Sequence, residues 1–508
     1  MASNLPYQIT LFAYLAVLVG VGVWKMRAVK GQDEFMVAGR SVSWVYLAGT
    51  LVCTWIGSGS LFGGAGRAFR EGFSALWGSA GAWVGLIIVF FLAPRVRRIA
   101  EYTVPDMLEL RYSRWARLMG TIAIVIAYVT IAAYQFKGGG RLYHLVTGGD
   151  VQTGQIISCL VVVVFTLLAG MLSIVTFDIF NGILMIIGIL IALPLAYEGA
   201  GGWERITQTL PATHFTPLGK LGFMNSLGLF LPTFFLLLGE SSMYQKFFSA
   251  KDEGTARKAL IGMVIGVVFM EAALETCAIF GAGHYFHDPA FQAAGGGLDK
   301  GKTESIILHL ARWEFPPVAG CLLLGAGLAI IFSTANTFLV IPSTNIARDV
   351  YQRFLRPRAT SQQVMRFQRI MIVVLGLVAM GATFVSGNIL AMALYAYTMV
   401  GAAVTPALLA CFFFKRVTPA AGTASIAAGT LTTLAFGVLG GLWTFVYSGA
   451  GAPTPPSWLQ HLADLTSEFD ADFVIFPSAA VSILLLFVVS YLSKPSAPEK
   501  LKPFFPDA

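Results

Sequence analysis

Long apolar stretches alternate with short polar runs along the whole chain. Thirteen are long enough to cross a hydrocarbon core of about 30 Å. They fall near 7–24, 43–66, 73–93, 118–136, 151–172, 174–197, 222–243, 259–283, 317–342, 370–387, 389–414, 420–446 and 473–492. Barrel strands would be half as long and would alternate residue by residue. The pattern predicts an all-α polytopic membrane protein with about 13 transmembrane helices.

Composition agrees. The 508 residues are 56% hydrophobic and 12% charged, with a mean hydropathy of +0.73, against about 25% charged in a soluble domain. The net charge of +8 invites a nucleic-acid partner, but its distribution argues otherwise. Basic residues gather in alternate loops, at 25–40, 95–117, 246–258, 348–369, 415–416 and 494–502. These hold 25 of the 34 lysines and arginines. The bias marks the cytoplasmic side and sets the N-terminus outside and the C-terminus inside. No nucleic-acid partner is expected. No basic residue precedes the first segment and Lys25, Arg27 and Lys30 follow it, so it reads as an uncleaved helix rather than a signal peptide.

The remaining chemistry is sparse. The five cysteines stand one to a span, with neither disulfide nor metal spacing. All six histidines fall in outer loops. His284 and His287 are one turn apart but lack a third ligand. "GGLDKGKT" at 296–303 fits a phosphate-loop pattern, yet no strand precedes it and it lies outside, so no nucleotide is expected. The outer loop 447–472, with Asp464, Glu468, Asp470 and Asp472, is expected to cap the outer face. The tail 494–508 is expected to be disordered.

Two spans are interrupted. "CTWIGSGSLFGG" at 53–64 puts four glycines and two serines inside an apolar run. Unwound backbone at that depth can bind a cation or a polar solute; small residues also serve close helix packing. The seventh span, "FLPTFFLLLGESS", is broken by Pro232, Thr233, Gly239 and Glu240. It comes five spans later, so the two cross in opposite directions, as in transporters built from inverted repeats. In the ninth span, "AIIFSTANTFLVIPST" gathers Ser333, Thr334, Asn336 and Thr337 within five residues. These are neutral oxygen donors suited to Na⁺, or hydroxyls bonded back to their own helix. Asp178, in "IVTFDIFNG", is a membrane carboxylate and a functional candidate. Glu271 and Glu275 lie one turn apart in the eighth span, with no role assigned.

Five segments in order, "DEFMVAGRSVSW", "TVPDMLELRYS", "TFDIFNGILM", "YQKFFSAKD" and "STANTFLVIPSTNIARDVYQRF", resemble the solute:sodium symporter family over nearly all of 1–440. The resemblance implies a leucine-transporter-type 5+5 inverted repeat, with repeats at 43–197 and 222–414. An extra helix and loop (1–42) precede them, an outer loop (198–221) joins them, and two further helices (415–493) and a cytoplasmic tail (494–508) follow. It implies a Na⁺ site formed by the carbonyls of Cys53, Ile56 and Ile330 and the hydroxyls of Ser333 and Thr334. Some members hold a second Na⁺; the matching positions are Asp178, Asn336 and Thr337, with an amide where a hydroxyl is usual. "CTWIGSG" is most similar to the choline-transporter branch, where an aromatic at the position of Trp55 boxes a quaternary ammonium. Glu240 stands where that branch has another ring.

The expectation is a symporter, not an enzyme, in the cytoplasmic (inner) membrane. It would import a small polar organic solute by alternating access, coupled to one or two Na⁺. The solute would sit beside Trp55, Gly57 and Ser58, with Tyr134 and Gln135 from span four, Glu240 and Ser241 from span seven, and Tyr395 and Tyr397 from span eleven. The two tyrosines gate the site or pack. Proton coupling through Asp178, or a sensor or channel of the same fold, are the alternatives. Expected partners are solute, sodium and bilayer, and the chain is expected to be a monomer or weak homo-oligomer.

Overall fold

The computed structural model describes residues 4–25, 31–99, 101–384, 388–447, 452–465 and 470–505. Arg27, Lys30, Glu468 and the last three residues lie outside the described residues. Among those described there are helices and two isolated bridges, with no strand.

Among the described residues, thirteen apolar helices in chain order build the bundle. They are α1 Leu5–Lys25, α2 Trp44–Trp55, α3 Trp77–Ile99, α4 Arg114–Thr147, α5 Val151–Leu168, α6 Gly170–Gly199 and α7 Gly222–Gly239. There follow α8 Glu253–Tyr285, α9 Pro317–Asn345, α10 Ser361–Ala382, α11 Ile389–Ala403, α12 Pro419–Leu442 and α13 Ile475–Leu492. Twelve stretches are long and apolar enough to cross a membrane by themselves; α2 is a shorter apolar helix. The expected span 43–66 is divided. Beyond α2 the chain resumes as a π-helical turn, Gly59–Gly64, then Ala65–Glu71, and turns at Gly72 (φ 67°) toward α3.

Local chemistry sets the helix ends. Ser113, Asp252, Asn388 and Thr418 cap the first turns of α4, α8, α11 and α12 with side-chain oxygens. Pro317 and Pro419 occupy first-turn positions, where no N–H is missed. Gly170 (φ 58°, ψ −174°) separates α5 from α6, and a Cβ there would meet the Phe35 ring at 2.7 Å. Only glycine accepts both the dihedral and the contact.

Helices α9 and α11 form the middle of the bundle: 78% and 83% of their apolar windows are buried, against 28% for α1 and α12. The weakly buried helices surround the rest and present apolar side chains outward. Helix α9 packs along α5 and α6, α7 along α3, α8 along α2 and α11 along α4.

The tail departs from expectation. Residues 493–505 fold back against the basic end. Buried Arg111 donates to Ser496 Oγ at 2.9 Å and to the carbonyls of Phe414, Lys415 and Val417. Lys500 donates to the Tyr112 carbonyl, and Phe504 packs edge-on against Phe412. A buried guanidinium needs acceptors, and the tail provides one of them. At the opposite end, Asp472 pairs with Arg67 at 2.9 Å, tying the loop before α13 to the chain beyond α2.

Candidate functional site

The site is built on the break after α2. The Ile56 N–H still bonds to Val52 O at 3.0 Å, but Ile56 itself is extended (φ −74°, ψ 105°). The helix restarts with the N–H groups of Ser60 and Leu61 on Gly57 O. Gln135, from α4, accepts the Ser58 N–H at 2.9 Å and so caps the second half from outside. A Cβ at Gly57 would stand 2.7 Å from Gln135 Nε2 and 3.0 Å from Thr334 Cγ2. That close approach is what the glycine allows.

The break leaves carbonyls without helical partners, and they converge. Thr334 Oγ1, from α9, lies 3.2 Å from Cys53 O, 3.5 Å from Thr54 O and 3.0 Å from Ile56 O. The hydroxyl has one proton for three acceptors. Converging carbonyl and hydroxyl oxygens replace the hydration shell of a small cation, so the donor set fits Na⁺. Ile330 is buried one turn earlier on α9. Ser333 Oγ donates to Asp178 Oδ1 at 2.6 Å, which leaves its lone pairs free.

The residues expected at a second ion separate. Asp178 also accepts from Thr50 Oγ1, at 2.5 Å. Asn336 turns to Thr166 on α5, whose hydroxyl donates to its amide oxygen at 3.2 Å. Thr337 Oγ1 meets Thr54 Oγ1 at 3.2 Å. Lys246 stands at that last point. The charge pattern puts it in a loop, but the seventh span resumes as Ser241–Ser249 and buries it completely. Its ammonium donates to Thr50 O at 2.9 Å and to Thr54 Oγ1. Asp178 and Thr337 are thus joined through threonines and a resident cation, while Asn336 faces elsewhere.

The seventh span breaks in the same way. Glu240 (φ −68°, ψ 100°) repeats the backbone of Ile56 and caps Ser241–Ser249. Between the two breaks lies a cavity of about 70 Å³, room for about five water molecules. Of the expected solute residues, Trp55, Tyr134, Glu240 and Tyr397 line it. Gly57, Ser58 and Gln135 sit beside it in the break, and Ser241 is buried next to the lining Ser242. Tyr395 turns away and donates to Thr433 O on α12. The two residues are 200° apart on α11, so one alone can face inward. Tyr134 and Tyr397 meet at 3.4 Å between their hydroxyls.

Glu271 and Glu275 complete the lining. Trp55 and Trp83 donate their indole N–H groups to the two oxygens of Glu271 at 2.9 and 2.8 Å. Ser79 donates to Glu275 Oε1 at 2.7 Å. Their one-turn spacing in an apolar span was a readable signal. Trp83 and Ser79 carried none.

A helical bundle with two broken helices beside a central cavity has the fold of leucine-transporter-type membrane transporters. The sodium:solute symporter family model matches residues 35–429, and the chain belongs to that family. It is similar to sodium/proline symporters of Staphylococcus aureus, at 23% identity over 97% of this chain and 94% of the relative. In structure it resembles a Na⁺-coupled sialic acid symporter (TM-score 0.76, 17% identity, 96% and 98% of the two chains). It also resembles a nucleobase-cation-symport-1 family transporter (TM-score 0.56, 12% identity, 92% and 97%) and an Eremococcus coleocola manganese transporter (TM-score 0.52, 13% identity, 89% and 95%).

Proposed function

We propose that the chain imports a small polar organic solute across the cytoplasmic membrane, driven by one Na⁺ bound at the α2 break. The observation that carries this reading is the convergence of three carbonyls on the single hydroxyl of Thr334. Cys53, Ile56 and Ile330 would offer carbonyls, and Ser333 and Thr334 hydroxyls. Residues 43–197 and 222–414 are taken as inverted repeats, supported by the matching backbone at Ile56 and Glu240.

The reading takes one ion rather than two because Lys246 already places a positive charge among Thr50, Thr54 and Thr337. One Na⁺ entering down about 100 mV gains about 2.3 kcal/mol. That alone supports roughly fifty-fold accumulation of a neutral solute, since about 1.4 kcal/mol is tenfold. Sodium bound at the break would order Ile56–Ser60 and so shape the cavity wall.

The test is thermal unfolding of the purified protein in NaCl and in KCl at equal ionic strength. Na⁺ should raise the midpoint with a one-site concentration dependence, and Thr334→Ala should shift that dependence to at least about tenfold higher Na⁺. Equal midpoints in the two salts would remove sodium from the proposal.

A further inference from the structure

We infer that the transported solute is a small organic cation with N–H donors, a protonated amine, whose charge is met by Glu275 with Glu271 behind it. The inference deepens the symporter reading and concerns its solute class.

Every ionisable acid or base among the cavity's lining carboxylates and amines has one sign. Glu240, Glu271 and Glu275 line it, and no lysine, arginine or histidine does. The nearby ammonium of Lys246 is committed to Thr50 and Thr54. A carboxylate-bearing solute would have only the Thr334 end of the cavity, where the proposed Na⁺ sits, as counter-charge, and would meet three acids elsewhere on the wall.

Among the three acids, hydrogen-bond accounting leaves one oxygen without a donor, while Ser58 Oγ, Ser241 Oγ and Gln135 Nε2 beside the cavity are the neutral polar atoms left unpartnered. Glu240 is satisfied: Tyr128 OH and the Ser242 N–H reach one oxygen, and Ser242 Oγ and the Met243 N–H reach the other. Glu271 holds an indole N–H on each oxygen. Glu275 has Ser79 on Oε1, while Oε2 is buried with no partner, on a side chain only 3% exposed. Glu275 belongs to the cavity wall, and an ionised carboxylate oxygen there requires a donor. An ammonium N–H supplies the hydrogen bond and the charge together. A quaternary ammonium supplies only the charge.

Two further features agree. Glu271 and Glu275 are one turn apart on α8, so two ionised carboxylates there would repel, and a cation or a proton against them relieves it. Trp55, Tyr134 and Tyr397 line the same cavity, and aromatic faces attract ammonium groups. A space for about five waters admits only a compact solute. With one Na⁺, each turnover would then carry two positive charges inward.

The experiment is a thermal-shift and calorimetric panel on the full-length purified protein in NaCl, using ethanolamine, methylamine, choline, proline and lactate. The expected result is stabilisation by ethanolamine or methylamine, with at least tenfold weaker binding by Glu275→Gln. Na⁺ stabilisation should survive in that variant, which shows that it folds. Glu271→Gln should weaken amine binding less. Binding of proline or lactate that Glu275→Gln leaves unchanged would overturn the inference, as would choline binding as tight as methylamine. A Na⁺ shift with no amine effect, accompanied by proton release from the wild type, would also overturn it and make the acid pair a proton site. Amine binding without any Na⁺ effect would support the solute class while removing the sodium reading.

Discussion

Thr334 has one proton to share among the carbonyls of Cys53, Thr54 and Ile56, and this imbalance makes the position sensitive to single-atom changes. Thr334→Ala removes the hydroxyl and leaves the carbonyls facing a methyl group. The Na⁺ concentration for half-maximal stabilisation should rise at least about tenfold, or about 1.4 kcal/mol, while Thr334→Ser should stay near wild type. Gly57→Ala tests the geometry from the α2 side of the site. Its new methyl would collide with Gln135 and Thr334, and titration of the thermal midpoint with NaCl should show weakened sodium binding even though no ligand atom is lost. Much of this site was legible at the residue scale. Trp55, Gly57 and Glu240 interrupt apolar runs, and interruption is itself a signal in a membrane span. Tyr395 and Tyr397 carried no such signal. Both faces of α11 are apolar, and hydropathy does not distinguish a face turned to lipid from one turned to another helix.

At the scale of the element, the broken seventh span does two jobs. Its first half ends at Glu240 on the cavity, and its second half delivers Lys246 into the bundle beside α2 and α9. A lysine in a run of basic residues reads as a loop residue. Only knowing that the helix resumes after the break puts it inside, and that knowledge is tertiary. Asp178 and Lys246 interact electrostatically, with Thr50 touching both. Lys246→Met should therefore remove the positive charge near Asp178 and two buried hydrogen bonds, and so destabilise the protein. Asp178→Asn alone should also destabilise. The double variant should lose clearly less than the sum of the two, as a coupled pair requires, in denaturant unfolding measured in detergent. Additive losses would mean that the two charges are independent, and the argument for a single transported ion would fall with them.

For the whole molecule, transport needs the cavity to open at each face in turn, and the structure has a clasp at both ends. On the basic face, Arg117 at the start of α4 pairs with Asp106, with Glu109 at 2.6 Å and with Asp349 at 2.7 Å. Arg353 adds a second cation on Glu109. The cluster joins the chain around the start of α4 to the chain just beyond α9, with Arg117 and Asp349 232 positions apart. No pattern along the sequence announces it; the basic residues there reported orientation alone. On the other face, Arg67 holds Asp472, and Arg141 holds Glu304 at 2.6 Å. Opening the basic face must break the Arg117 pairs, so weakening them should favour that opening. Asp349→Asn removes one charge while keeping a side chain of the same shape. Cys53 is a natural reporter, because its carbonyl belongs to the proposed sodium site and its thiol is fully buried against the Asp178 carbonyl. In Asp349→Asn, N-ethylmaleimide modification of Cys53, followed by peptide mass spectrometry, should be several-fold faster than in the wild type without Na⁺. Adding Na⁺ should slow it again, since an ion on the Cys53 carbonyl holds α2 against α9. An unchanged rate in the variant would show that the Arg117 cluster ties the fold together without controlling access to the site.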